Sequence, residues 1–365
     1  MNTYTALSPR TTAFVVKDLL ERGFPYLVFE KFGMTKPLPS KSTKTMKWRR
    51  YFLSPASFTN SVYNPYEYYE NNNGTNELFD VTTVAGVGQD GGRKLTEGVT
   101  PQAIDLDSLD IEVSIDQFGA YTEITDQIQD LHEDSILQES IDILGETGAF
   151  LAERVRYNAL KGGSNVYYAT DDATPARDKV NQPISLTLQR NIVRGLKRNL
   201  GKPITKVVKS NANYGTESIA PSYVGVCHTD VESDIRSMDG FVPAEKYGAG
   251  VAWEGEIGKV ESVRYVLSTV VSSLGEVGHT TVPATLIGTD YVNVYPILYF
   301  AANAYALVPL KGKNAITPMV LNPNVPRGGD PLGQRGSVGI KFYHACVILH
   351  DFWMARAEVG VSKLS

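Results

Sequence analysis

Apolar and charged residues alternate over residues 104–115. Leu109, Ile111, Val113 and Ile115 share one face, and Asp110, Glu112, Ser114 and Asp116 share the other. A period of two predicts a half-buried strand with one charged face. Ile104 and Leu106 fall on the opposite phase, so a bulge or bend is expected near Ser108. Over residues 134–161 the period lengthens. Leu137, Ile141, Leu144, Gly148, Leu151 and Val155 recur at intervals of four and three, forming one apolar stripe along a helix of about seven turns. Ser135, with Gln138 three residues on, resembles a capping box, and Gly162 and Gly163 can end the helix with a left-handed cap. A helix of this length serves as a spine on which a sheet packs. A second helix is predicted over 185–200, with Leu188, Ile192 and Leu196 as its stripe and Gly201 and Pro203 closing it.

Strands are expected over 204–210, 223–227, 260–268, 285–294 and 304–310, with a short helix over 230–237. Residues 311–336 are rich in Gly and Pro and read as loop. The last strand, 337–349, is apolar on both faces and is expected to be buried on both sides. It should return to the spine helix, making one domain discontinuous. At the other end, residues 1–60 read as an extended arm. Phe14, Val15, Leu19 and Leu20 fit a short helix over 11–22, but Pro25, Pro37, Pro39 and Pro55 prevent a longer one. Such a segment cannot build its own core and must lie on something else. Residues 57–93 carry Tyr63, Tyr66, Tyr68 and Tyr69 followed by Asn71, Asn72 and Asn73, the composition of a loop tip or insertion. No internal repeat is visible, and the fold class is α+β.

The 365 residues, 42% of them hydrophobic, suffice for one large domain or two to three small ones. A net charge of -5 argues against a generally basic nucleic-acid binder. Twenty Tyr residues suit either broad contact surfaces or simple strand preference. Cys227 and Cys346 are the two cysteines, so no disulfide framework is expected and a reducing compartment is implied. Residues 1–10 lack the apolar run of a signal peptide. The uncharged stretch 291–310 contains Pro296, Asn303 and Pro309 and reads as buried strands, not as a membrane span.

The net charge conceals strong segregation. Residues 31–50 hold seven basic residues and no acid; residues 97–146 hold fourteen acids and no Lys or Arg; residues 177–209 hold nine basic residues and one acid, Asp178. Opposite blocks can set register between docked copies of a chain. They can also be solvated faces, or, for the basic blocks, contacts to nucleic acid.

Candidate chemistry is sparse. Residues 86–91 match a dinucleotide glycine fingerprint, but no helical stripe follows to receive a pyrophosphate, so they read as loop. His228, Asp230, Glu232 and Asp234 lack the convergent His or Cys pairs of a zinc site, and Asp230 is expected to cap the helix that follows. His344 is expected to pack or hydrogen-bond in the core. There is no Gly-x-Ser-x-Gly elbow and no P-loop, and no pair of carboxylates stands out. Asn73-Gly74-Thr75 is a glycosylation sequon by pattern only. No cofactor, metal or catalytic residue is assigned.

Several stretches resemble the N-four-type major capsid proteins of tailed phages. Glu30-Lys31-Phe32-Gly33 is similar to that family's arm, Lys47-Trp48-Arg49-Arg50-Tyr51 to the entry of its hairpin, and Leu95-Thr96-Glu97-Gly98-Val99-Thr100-Pro101 to the hairpin's return. Residues 126–134 lead into the spine helix as they do there. Cys227-His228-Thr229-Asp230, residues 240–247 and residues 254–261 are also similar. The most specific match is Asp330-Pro331-Leu332-Gly333-Gln334-Arg335-Gly336-Ser337-Val338-Gly339. These segments occur in family order across nearly the whole chain.

The resemblance implies the Hong Kong 97 phage capsid fold: an N-terminal arm (1–45), an extended hairpin loop (46–125) with an insertion at 57–93, a peripheral domain (126–183 and 336–365) and an axial domain (184–335). It implies self-assembly into hexamers and pentamers that close an icosahedral head around double-stranded DNA, which is bound nonspecifically. The shell would be part of the virion and assembled in the host cytoplasm, with portal and scaffold proteins, a decoration protein and no membrane as the expected partners. An encapsulin-like compartment or a tail tube is the alternative assembly; an enzyme is not expected. For contacts between subunits, Lys41, Lys44, Lys47, Arg49 and Arg50 are expected to meet Asp105, Asp107, Asp110, Glu112 and Asp116 of a neighbour.

Overall fold

The computed structural model describes residues 27–41, 43–53, 106–131, 136–208, 216–247, 252–253, 255–310, 317–326 and 328–364. The expected helix over 11–22, the segment 57–93, Asp105 and Ser135 of the capping box lie outside them. In chain order, β1 (Met34–Thr35) and β2 (Thr45–Leu53) precede β3 (Leu106–Ser114), β4 (Asp116–Thr125), α1 (Asp126–Leu131) and the spine helix α2 (Ile136–Leu160). Then come β5 (Val166–Tyr168), α3 (Leu186–Arg198), β6 (Ile204–Val208), β7 (Thr216–Cys227) and the short α4 (Glu232–Arg236). Strands β8 (Phe241–Pro243), β9 (Glu256–Val260), β10 (Val263–Leu267), β11 (Gly275–Glu276) and β12 (Asn293–Phe300) follow. The chain ends with β13 (Tyr305–Leu307), β14 (Thr317–Leu321), β15 (Arg335–His344), β16 (Cys346–Ile348) and β17 (Met354–Val359). Among the described residues no helix is long and apolar enough to cross a membrane.

The largest sheet runs β5-β17-β12-β7-β10-β9-β8, with β6 added on β7 and β11 on β12. Its central strands are apolar on both faces because both are covered. Tyr223, Val263, Tyr265, Ile297 and Tyr299 face one cluster with Ile192 and Leu196 of α3. The alternate residues Val224, Val226, Val266, Leu298 and Phe300 face a second cluster with Tyr157 and Leu160 of α2 and with Val28, Phe29 and Phe32 of the arm. Period-two alternation therefore divides one sheet between two cores.

A second sheet, β14-β15-β4, packs on the first half of α2. There Ile141 and Leu144 meet Ile124, Val338 and Ile340, the return of the last strand to the spine helix that the sequence predicts. A small sheet, β1-β13-β16, ties the arm to the body through the parallel pair Met34↔Ala306 and Thr35↔Leu307.

Several expectations are corrected. The β2–β3 ladder runs in unbroken register from Thr45↔Ser114 to Leu53↔Leu106, with no bulge at Ser108. Gly162 and Gly163 are not left-handed; their N–H groups bond back three residues, to Ala159 and Leu160, at 3.3 Å each, a tightened last turn. The segment 260–268 is two strands, because Glu261 turns at φ 51° and folds β10 back on β9. Strand β12 starts at Asn293, not at 285. The loop 311–336 contains β14, an edge strand that accommodates Pro318. The final strand divides at Ala345, which exchanges both backbone bonds with Val308, and β15 alternates between buried and less buried positions.

Candidate functional site

Strands β2 and β3 set Lys47 opposite Glu112 and Arg49 opposite Asp110. Met46, Trp48 and Val113 turn toward the cluster of Leu38, Ile115, Val308 and Ala345, which leaves the charges on the solvent face. Arg49 forks onto Asp110, Nε to Oδ1 at 2.8 Å and Nη2 to Oδ2 at 2.9 Å. Lys47 reaches Glu112 at 2.5 Å and Asp110 at 3.3 Å, and Lys44 reaches Asp116 at 3.1 Å. The Arg49 hydrogen bond holds the Asp110 carboxyl down at about 2. Glu112, then Asp110, raise the Lys47 ammonium.

Opposite blocks of charge therefore do pair, but along one chain. The carboxylates expected from a neighbour are supplied to Lys47 and Arg49 by β3, the hairpin's own second strand, and to Lys44 by Asp116 at the start of β4. Of the other predicted contact residues, Arg50 lies opposite Leu109 and Asp107 opposite Phe52. Lys41 sits before β2 with a left-handed φ of 61°, and Asp105 falls outside the described residues.

A second charged arrangement lies beneath the arm and was missed from sequence. Glu153 and Arg156, one helical turn apart on α2, are both buried. Glu153 Oε1 accepts the Val28 and Phe29 N–H groups at 2.6 Å each, and Oε2 accepts Arg156 Nη1 at 3.0 Å. Arg156 also donates Nη2 to Glu30 at 3.1 Å and Nε to Nε2 of His344 at 3.1 Å. From the far side, the Tyr305 hydroxyl donates to the Phe29 carbonyl at 2.5 Å. Burial pushes the Glu153 carboxyl up, against the pull of Arg156 and the two arm N–H groups. Burial, then Arg156, pushes His344 well below its ordinary value, so it is a neutral acceptor in the core as expected. The available signal was a Glu and an Arg three apart inside an apolar helix segment, a spacing that places both on one face.

Helix α3 is capped by Ser185, whose hydroxyl accepts the Leu188 N–H at 3.2 Å. Its inner face buries Ile192, Val193 and Leu196. Its outer face carries Arg190, paired with Glu261 at 2.5 Å, and then Arg194, Lys197 and Arg198. Among the described residues no carboxylate lies within ion-pair distance of these last three. At the suspected metal segment, His228 and not Asp230 caps the following turn, its ring accepting the Asp230 N–H at 3.2 Å. Asp230 instead accepts the Tyr295 hydroxyl at 2.8 Å. The described residues contain no group of His, Cys, Asp and Glu able to hold a metal ion.

Comparison with known proteins gives a consistent result. The family described as "Phage capsid protein" matches residues 108–357. The major capsid protein of Pseudomonas phage KPP21 is 21% identical over 267 residues, 67% of this chain and 66% of that protein, a little under two thirds of its length. The capsid of Ralstonia phage GP4 superposes with a TM-score of 0.59 at 11% identity, covering 91% of this chain and 88% of that one. The capsid of cyanophage Pam1 gives 0.54 at 9% identity, covering 94% and 93%. The head of Helicobacter pylori bacteriophage KHP40 gives 0.54 at 10%, covering 90% and 87%. These likenesses show the Hong Kong 97-like capsid fold. The family match runs from β3, through the spine helix and the large sheet, into β17, and the chain belongs to the phage capsid protein family.

Proposed function

We propose that the chain is a major capsid protein. It self-assembles into hexamers and pentamers that close an icosahedral phage head around double-stranded DNA. The observation that carries this reading is the family match over residues 108–357, on a fold shared with phage capsids along about nine-tenths of the chain. Shell formation sums many contacts, so no single interface need be strong. The role is structural, not catalytic, with assembly in the host cytoplasm alongside portal and scaffold proteins and a decoration protein.

The division into arm (1–45), hairpin (46–125), peripheral (126–183, 336–365) and axial (184–335) parts is supported by the packing of β15 on α2. The boundary nevertheless crosses one sheet, since β17 pairs with β12 from Tyr295↔Val359 to Phe300↔Met354. Arg194, Lys197 and Arg198 of α3, without an ion-pair partner among the described residues, are the proposed nonspecific contact to packaged DNA, and such contact weakens with salt. The exposed hairpin charges remain proposed contacts to a neighbouring subunit, in exchange with their partners on the same chain.

Negative-stain electron microscopy with light scattering on the purified chain tests the reading. Closed shells or capsomer rings are expected. A stable monomer at high concentration, even with scaffold added, would refute it. Tubes, or shells loaded with protein and not DNA, would favour the tail-tube or encapsulin-like alternative.

A further inference from the structure

The sheet β14-β15-β4 has one covered face and one bare face. Val338 and Ile340 point to the spine helix, so Gly339 and its cross-strand partners Tyr121 and Met319 point away. Tyr121 is 72% exposed and Met319 54%. In the next row Leu321 lies across Ser337 from Glu123 and is 48% exposed. Large apolar side chains adjacent on one face and left in water mark a docking surface.

The charges around this row are arranged with a sign. Lys341 lies two residues beyond Gly339 on β15, and Glu123 lies two residues beyond Tyr121 on β4. Because the strands are antiparallel, with Lys341 opposite Gly119 and Ser337 opposite Glu123, the two charges fall on opposite sides of the row. Each stands about 7 Å from it along the strand. Both are exposed, and neither has an ion-pair partner among the described residues. The face carries Lys341 on one side of the apolar row and Glu123 on the other, with the exposed Arg335, opposite Thr125, one row beyond Glu123.

We propose that this face docks on the same face of a second copy, across a two-fold axis running along the Tyr121–Gly339–Met319 row. Rotation by a half-turn about that axis brings Lys341 of each copy over Ser337 of the other, one strand spacing (about 4.8 Å) from Glu123 on β4. It also places the Tyr121 rings against each other and the Met319 side chains together. An isologous contact requires such self-complementarity, and a heterologous one does not. The alternative two-fold, running along the strands, would set Lys341 on Lys341 and is repulsive. Tyr121, Met319 and Leu321 with two flanking charges are far fewer than the roughly 20–30 residues a side of a stable free-standing interface, so the contact acts within a multivalent assembly and not as a solution dimer.

The inference rests on the self-assembly reading, and its test separates the two. Tyr121→Cys and Met319→Cys are made singly and assembled as full chains. Background is low, since Cys227 is buried and the Cys346 thiol is pushed up to about 12 by burial. Mild oxidation of assembled shells should give a dimer-sized band on a non-reducing gel with either single variant, because only a two-fold places a residue against itself. Shells that form normally but give no homodimer band, with the new thiol open to maleimide or protected by another segment, would overturn the proposal and leave the assembly reading intact. Failure of the unmodified chain to assemble would instead count against that reading. Charge exchange is independent of the new thiols. Lys341→Glu should lower shell yield, and adding Glu123→Lys in the same chain should restore it. A double variant no better than the single one, with both folded, also overturns the two-fold.

Discussion

Removing the Glu153 carboxylate is the sharpest perturbation of how this chain holds its arm. In Glu153→Ala, two buried N–H groups, Val28 and Phe29, and one Arg156 nitrogen lose their acceptor together. A buried donor left unpaired costs about 1–3 kcal/mol, and breaking one side of a buried ion pair costs about 3–5 kcal/mol. These losses overlap, because Arg156 keeps Glu30 and His344. The expected destabilisation is therefore about 3–5 kcal/mol in total. Glu153→Gln keeps the volume and one acceptor oxygen but turns an amide donor toward the guanidinium, so about 1–3 kcal/mol is expected. Urea unfolding of the unassembled chain measures the sum. Limited trypsin digestion measures the local part, since Lys31 is buried by this packing and its cleavage should accelerate before global unfolding. Both variants within about 0.5 kcal/mol of the parent, as for an ordinary surface substitution, with unchanged cleavage at Lys31, would refute the argument that Glu153 clamps the arm.

Other consequences follow from the same contacts. The Asp110 carboxyl should titrate near 2, and Arg49→Ala should return it toward the ordinary value of about 4, as followed by carbon-detected NMR. Its folded-state value is depressed, so its contribution is complete above the unfolded value and lost as pH falls through about 2. For His344 the folded value is also depressed, but the group is a base. The unfolded chain then binds the extra proton below about 6.5, so stability should fall as pH drops through that point. His344→Gln should flatten the urea midpoint between neutral and mildly acid pH. Gly225 lies under the rings of Tyr265 and Tyr299, and an added Cβ would sit 2.9 Å from Tyr265 Cε1. Gly225→Ala should therefore cost about 1–3 kcal/mol by overpacking, read as a lower melting temperature.

Elements with a strong period were legible in the sequence. The spine helix, α3 and the alternation of β3 all emerge where expected, because an amphipathic face needs no knowledge of its partner. The losses share a cause, which is chemistry satisfied only at long range. Strand β17 reads as alternating small and charged residues, yet all of it is buried. Its Glu358 is held by Arg356 at 2.9 Å and by Arg177 at 2.7 Å, and Arg177 lies far away in sequence. The apolar period puts the α2 stripe through Leu151 and Val155, whereas the buried face passes through Ala152, Glu153, Arg156 and Tyr157, because the arm brings partners for the charges. The charge segregation leaves pairing between copies, solvated faces and nucleic-acid contact open, because composition does not reveal where a partner comes from; the strand register places Glu112 and Asp110 of the same chain opposite Lys47 and Arg49.

The two charged arrangements also differ in what they can control. The hairpin pairs sit in water, where exposed ion pairs contribute little and are screened beyond about 8–10 Å at physiological salt. In the proposed shell, Lys44, Lys47 and Arg49 could therefore exchange their own carboxylates for those of another subunit at small cost, a property suited to contacts that would form and rearrange before closure. The Glu153–Arg156 cluster is the reverse case. Its groups are out of water, and each is bonded to a backbone or side-chain atom in a fixed direction. A buried ion pair of this kind adds little net stability over a well-packed apolar substitute, but it strongly penalises any position of the arm that leaves a charge unpaired. Residues 28–30 are thereby held in one register on the spine helix, while the hairpin pairs stay in water, and in the proposed shell this division would allow a subunit to keep its own fold while its contacts with neighbours change.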